Sequence, residues 1–284
     1  MLCAWQVDNV TREGVCFMRS FTVRVLALVA ALTVHAVPAE AQTETLLYDH
    51  VHMAVPDPEA AAQWYHDHIG GEWVDGRDDR LLFGRTRIMF LSDGGQTRKP
   101  SAGGVIDHLG FSFPDLDAKL DEVEAAGAEI TTPAREVEGL FTLSFIEDPW
   151  GTRLELIEEP QHLGFHHVHL RSPDPEADYD WYYATFGGVR LEMRGRIPAI
   201  LYPGNVWLMI QRGETFPSSE GTIDHIGWRA PTNDETLADM RAKGVEITST
   251  PREMTLPSGL IEFFYVAGPN GARVELVDRA PDMR

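Results

Sequence analysis

Hydrophobic and polar positions along the chain switch between two periods, and the switch recurs four times. His50 and His52 interleave with Val51, Met53 and Val55, a period of two that predicts a strand over residues 51–55 with one apolar face. Pro-Asp-Pro at 56–58 changes the period. Asp57 is the expected cap of an amphipathic helix running through His68, which Gly70 and Gly71 end. Three short strands follow, at 72–74, 81–83 and 87–91. The same order returns as a strand at 109–113, a helix at 115–126 stopped by Gly127, and strands at 129–131, 142–147 and 152–157. Residues 168–277 repeat both halves. Each unit reads βαβββ, so the pattern predicts an α+β chain of four units.

The repetition is close to literal in places. DHVHMAVPDPEAA, residues 49–61, reappears as HHVHLRSPDPEAD, residues 166–178. Ile106-Asp107-His108-Leu109-Gly110 maps at the same offset onto Ile223-Asp224-His225-Ile226-Gly227, and Gly151 and Glu155 map onto Gly271 and Glu275 after a short insertion near residues 256–259. Two modules are expected, 46–160 and 163–280, joined by the polar Glu158-Glu159-Pro160-Gln161. With 284 residues and 43% apolar content, the chain is long enough for two ordinary cores.

Charge and cysteine content narrow the function. A net charge of −20 repels phosphate backbones and anionic membranes, which excludes nucleic acid as a partner and favours a small molecule or a metal. No apolar run reaches the roughly 20 residues of a membrane span. Arg19 and Arg24 precede an apolar run over 25–34, and Ala39-Glu40-Ala41 offers small residues for cleavage, so residues 1–41 are expected to be a secretory signal. Met18 is then the natural start, cleavage follows Ala41, and the mature chain is periplasmic or secreted. Both cysteines, Cys3 and Cys16, precede that start. Any metal in the mature chain must therefore rest on His, Asp or Glu.

The histidines supply such a set. On a strand His50 and His52 share a face, as do His167 and His169. His108 shares a face with Gly110, and His225 with Gly227, which leaves room beside each imidazole. Glu155 and Glu275 lie in apolar strands, where a carboxylate calls for a charged partner. Each residue alone is more simply a core histidine or a solvated glutamate. Their recurrence in one order in both modules outweighs that account, since six of the mature chain's ten histidines fall in the repeated set. His66, His68, His162 and His166 are read as surface or structural residues.

With these residues in place, the chain resembles the vicinal oxygen chelate superfamily, which includes glyoxalase I, extradiol dioxygenases and fosfomycin-resistance transferases. The resemblance covers nearly all of residues 46–280 and implies tandem modules whose four βαβββ units form two cupped mixed β-sheets with flanking helices. It implies metal ligands at His50, His108 and Glu155, and again at His167, His225 and Glu275. Two imidazoles and one carboxylate leave part of a divalent ion open to a substrate with two neighbouring oxygens. Fe2+ is favoured, with Mn2+, Zn2+ or Ni2+ as alternatives. Glyoxalase I usually adds a carboxylate ligand on the last strand of a first unit, and residues 87–91 and 206–210 carry none. Tyr265 matches a tyrosine that extradiol enzymes and fosfomycin transferases aim at the metal-bound ligand, and Phe145 takes its place in the first module. The second active-site histidine of the ring-cleaving enzymes has no counterpart, and His52 and His169 are the candidate acid/base groups instead.

These features favour a metal-dependent enzyme with dioxygenase chemistry, ahead of a glyoxalase-like isomerase or lyase and of a small-molecule binding protein. The expected assembly is a monomer or homodimer. Long Gly/Pro/Ser-rich links at 92–105 and 211–222 favour pairing of units across the modules, His50 with His225 and Glu275, and His167 with His108 and Glu155.

Overall fold

The computed structural model describes residues 44–280; the expected signal segment, with Cys3 and Cys16, lies outside the described residues. The first unit comprises β1 (Leu47–Val55), α1 (Pro58–Trp64), β2 (Glu72–Trp73), β3 (Arg80–Phe83) and β4 (Thr86–Ser92). The second comprises β5 (Ile106–Ser112), α2 (Leu116–Ala125), β6 (Glu129–Glu136), β7 (Thr142–Glu147) and β8 (Arg153–Glu158). The third is β9 (Gly164–Ser172), α3 (Pro175–Phe186), β10 (Val189–Met193), β11 (Ile197–Tyr202) and β12 (Val206–Arg212). The fourth is β13 (Ile223–Arg229), α4 (Asn233–Ala242), β14 (Arg252–Leu256), β15 (Gly259–Ala267) and β16 (Arg273–Arg279). Among the described residues no helix is long and apolar enough to cross a membrane.

The units pair across the modules, as the long links suggested. One mixed sheet has the order β14-β15-β16-β13-β1-β4-β3-β2 and so joins the fourth unit to the first. The other, β10-β11-β12-β9-β5-β8-β7-β6, joins the third to the second. Each sheet has an antiparallel pair at its centre, β1 with β13 or β5 with β9. A parallel neighbour flanks that pair on either side.

Four β-bulges interrupt the two central pairs, and each places one extra residue immediately before a candidate ligand histidine. The register steps from Tyr48↔Trp228 to His50↔Gly227, which leaves Asp49 unpaired, and from His52↔His225 to Met53↔Ile223, which leaves Asp224 unpaired. In the other sheet the steps from Ile106↔Leu170 to His108↔His169 and from Gly110↔His167 to Phe111↔Phe165 leave out Asp107 and His166. A bulge breaks the strict alternation of faces. Tyr48 can therefore join the core although it lies two residues before His50, while Asp49 stays beside the histidine.

One large apolar core links the sheets. Trp228 on β13 is fully buried and stacks on Phe186 of α3, with ring centroids 4.2 Å apart, and Tyr48 and Tyr202 meet it edge-on. Each such ring pair adds about 0.5–1.5 kcal/mol beyond its buried area. A smaller cluster flanks each candidate site: Leu256, Ile261, Phe263, Tyr265 and Val277 in one sheet, and Phe141, Leu143, Ile157, Met193, Ala199 and Met209 in the other.

Several boundaries differ from the sequence pattern, among them the start of β5 at Ile106, the end of β6 at Glu136 and the start of β9 at Gly164, and two have a visible cause. β1 begins at Leu47 rather than 51, because the bulge at Asp49 lets Tyr48 pair with Trp228 before the visible alternation starts. The first helix ends in a π turn, Tyr65–Ile69, closed by Gly70 at φ 101°, and the wider turn delivers the Tyr65 hydroxyl to Asp148 Oδ2 at 2.7 Å.

Candidate metal centres

The bulges give every candidate ligand histidine a polar neighbour on its outer nitrogen. Nδ1 of His50 meets Asp49 Oδ1 at 2.9 Å, His108 meets Asp107 at 2.7 Å and His225 meets Asp224 at 2.6 Å. His167 Nδ1 instead meets Nδ1 of His166 at 2.8 Å. A carboxylate only accepts, so each of the three Asp-backed rings carries its proton on Nδ1 and, when neutral, presents a bare Nε2 inward.

The inward atoms converge in two sets. In site I, His225 Nε2 lies 3.0 Å from Glu275 Oε2, and His50 Nε2 lies 3.8 Å from Glu275 Oε1. In site II, His108 Nε2 lies 3.1 Å and His167 Nε2 lies 3.2 Å from Glu155 Oε2. All six residues are buried. Nε2 of His50 and of His167 are buried without an aligned hydrogen-bond partner. Two orphaned imidazole nitrogens, each facing a second imidazole and an ionised carboxylate, form the donor set that a divalent ion of the zinc or iron class accepts. The residues fit a metal.

The glycines two positions after His108 and His225 make room for the histidine of the opposite strand. A Cβ on Gly227 would stand 2.2 Å from His50 Cε1, and one on Gly110 would stand 2.0 Å from His167 Cε1. Cross-strand pairing sets this contact, since Gly227 faces His50 and Gly110 faces His167.

Charges behind the sites oppose one another. Burial pushes the pKa of His50 and His167 below the ordinary value, against the pull of Glu275 and Glu155. For His108 and His225 burial acts in the same direction, but the paired carboxylates outweigh it and hold the pKa above the ordinary value. Glu275, despite burial, is held down to about 2 by His50 and His225. Asp107 and Asp224 also bind Arg153 and Arg273 at 2.9 Å. Those guanidinium groups lie 3.9 Å over the rings of Phe145 and Tyr265, whose edges meet His108 and His225.

Tandem matches to one family model, described as the glyoxalase/bleomycin resistance protein/dioxygenase superfamily, span residues 47–156 and 164–276. The chain belongs to that superfamily. Among solved structures, glyoxalase I from Zea mays shares the fold at a TM-score of 0.64 and 19% identity, over 82% of this chain and 92% of that one. A "putative dioxygenase" from Bacillus subtilis matches at a TM-score of 0.60 and 17% identity, over 85% of this chain and 87% of that one. A Mycobacterium tuberculosis protein named "Putative glyoxylase CFP32" is 24% identical over 185 residues, 60% of this chain and 69% of its own length.

Within this superfamily fold, all six candidate ligands meet in two sites, and the candidate acid/base histidines stand beside them. Rings of His52 and His225 are 4.2 Å apart, and those of His169 and His108 are 4.6 Å apart. Nδ1 of His52 and of His169 is buried without a partner. His169 comes close enough to His108, Glu155 and His167 for all four to surround one ion, so its position admits ligation as well as proton transfer. His66 and His68 make peripheral hydrogen bonds to the Gly71 carbonyl and to Glu122. His166 is fully buried and meets the candidate ligand His167, a role the repeat alone did not assign. Asp49, Asp107 and Asp224 were also passed over, although an Asp directly precedes three of the four candidate ligand histidines and was the available signal.

Gly227→Ala is expected to displace His50 and remove about one bound ion per chain while site II stays filled, as counted by metal analysis. An unchanged count would show that His50 can shift without losing its ligand role. Ion affinity is expected to fall on acidification. The raised pKa of His108 and His225 keeps a proton on each imidazole to higher pH than usual, and the ion must displace it. Affinity at each site then drops about tenfold per pH unit once the pH is below that raised value, and levels off above it. Chelator-competition titrations between about pH 5.5 and 8 measure this; a flat profile would remove both histidines from the ligand set.

Proposed function

We propose that the chain is a divalent-metal-dependent enzyme that holds a small substrate through two neighbouring oxygens, with dioxygenase chemistry ahead of glyoxalase-type isomerisation. The observation that carries this reading is the duplicated inward set of two imidazoles and one carboxylate, each imidazole locked from behind. A bound divalent ion, Fe2+ by preference, supplies Lewis acidity that stabilises negative charge on the paired substrate oxygens. His50, His225 and Glu275 would hold one ion, and His108, Glu155 and His167 the other.

Two features favour the dioxygenase side. β4 and β12, the last strands of their units, carry no carboxylate such as glyoxalase I usually places on that strand, and present the buried thioethers Met89 and Met209 opposite His52 and His169. Tyr265, beside Glu275, is kept protonated because burial and the adjacent carboxylate push its pKa up, so it serves as a hydrogen-bond donor to a bound substrate. Site II has Phe145 there, and the two sites differ in competence on that account. His52 and His169 are held neutral by burial and by the neighbouring imidazoles, so each offers a lone pair to a substrate proton as a weak base.

The test is turnover of Fe2+-loaded protein on catechols, read as O2 uptake with ring-cleaved product, beside the hemithioacetal of methylglyoxal. O2 uptake with catechols is expected, lost at least a hundredfold in the Glu155→Gln, Glu275→Gln variant. His169→Gln is expected to retain both ions and slow site II by roughly tenfold to thousandfold. Isomerisation without O2 uptake would establish the glyoxalase reading, and tight ligand binding without turnover would reduce the protein to a carrier.

We also propose export to the periplasm or beyond, on the Arg19, Arg24 and apolar 25–34 pattern. N-terminal sequencing of the native protein is expected to start at Gln42; an intact leader would refute cleavage.

A further inference from the structure

The repeat relates Asp49 to His166 and Arg279 to Glu159. In site I, the residue behind His50 is Asp49, and Arg279 Nη2 holds its Oδ1 at 3.0 Å. In site II, the residue behind His167 is His166, and Glu159 Oε2 holds its Nε2 at 2.8 Å. Both members of the pair differ together: an acceptor carboxylate fixed by a cation has become an imidazole fixed by a carboxylate. Sites I and II otherwise keep the same ligands and the same Asp behind the second histidine.

We propose that His166 and Glu159 act as one positioning unit that fixes the proton of His167 on Nδ1 and so frees its Nε2 for an ion. The inference rests on the assignment of His108, Glu155 and His167 as a metal centre. Proton placement follows from what each group can do. Glu159 is an ionised carboxylate whose other oxygen, Oε1, takes Arg194 Nη2 at 2.5 Å, so it only accepts. A neutral His166 then carries its proton on Nε2, which leaves its Nδ1 bare. His167 Nδ1, 2.8 Å away, must donate to that lone pair, and a neutral His167 has no proton left for Nε2. Burial favours the neutral form of both rings.

The same chain of protons explains why Glu159, His162 and His166, which also gather their ligand atoms within 4.8 Å of one another, are not assigned an ion of their own. An ion on His166 Nε2 would move that ring's proton to Nδ1, reverse the bond to His167 and place a proton on the nitrogen that faces Glu155.

The test has one arm without metal and one with it. In ion-free protein, imidazole 15N spectra are expected to show His167 as the Nδ1–H tautomer. In Glu159→Gln, whose amide both donates and accepts, they are expected to show a mixture. A pure Nδ1–H signal in that variant would overturn the proposal whatever the protein binds. In the second arm, Zn2+ affinity at site II is measured in a Glu275→Gln background that disables site I. Glu159→Gln and His166→Leu are each expected to weaken binding about tenfold to hundredfold. His166→Asp alone sets two carboxylates against each other and is expected to weaken it similarly, whereas His166→Asp with Glu159→Arg recreates the pair of site I and is expected to return to within about threefold of the parent. A double variant no better than the product of its single changes would show that the two residues do not act as a unit. Absence of Zn2+ from the parent would refute the metal centre, leaving the tautomer arm to decide the positioning role.

Discussion

An extra residue in the strand ladder, inserted before each of four histidines, is the constraint on which the rest depends. In a regular strand the neighbour of an inward histidine faces the opposite side and cannot reach its ring. The bulges at Asp49, Asp107, His166 and Asp224 suspend that rule at the four places where a buried imidazole needs a partner on Nδ1. The cost is a broken pair in the middle of each sheet. The return is a fixed tautomer and ring orientation without recruiting a side chain from another element.

Burying four polar pairs in apolar sheets raises a second demand, for countercharge. Asp107 and Asp224 meet it in the same way, through Arg153 and Arg273, each of which lies over an aromatic ring that packs against the candidate ligand histidine. Asp49 takes Arg229 and Arg279, and Arg279 is itself nearly inaccessible. Removing one partner from so buried a set leaves an uncompensated charge, which is far more disruptive than losing a surface ion pair. Site II avoids that exposure behind His167 by using a neutral imidazole and placing the carboxylate, Glu159, one step farther out.

Much of this was legible in the chain. Period-two and helical patterns located the four units in order, because each central strand alternates apolar core residues with the histidine-bearing face and each helix carries one apolar stripe. The long links at 92–105 and 211–222 pointed to units pairing across the modules. Repetition, rather than any single residue, brought out His50, His108, Glu155, His167, His225 and Glu275. The bulges were not legible, since an added residue in a ladder is defined only against its partner strand, and the partner lies in the other module. For the same reason Gly110 and Gly227 suggested open space, whereas that space is filled by His167 and His50. His166 looked like a replaced aspartate of no consequence, because its compensating residue, Glu159, sits outside the repeated strand motif.

Pairing the first unit with the fourth has a consequence for the order in which the protein comes into being. The strands that make site II are all present once β12 has been synthesised, whereas β1 must wait for β13 and β16, near the other end of the described chain. The contact that closes site I spans about three times the sequence separation of its counterpart in site II. By equilibrium entropy that difference is small, about 1 kcal/mol. On a growing chain it is a matter of time: β1, with its two histidines, is the first described strand and gains β4 on one side early, but its other edge waits for β13 and until then is open to any strand that passes.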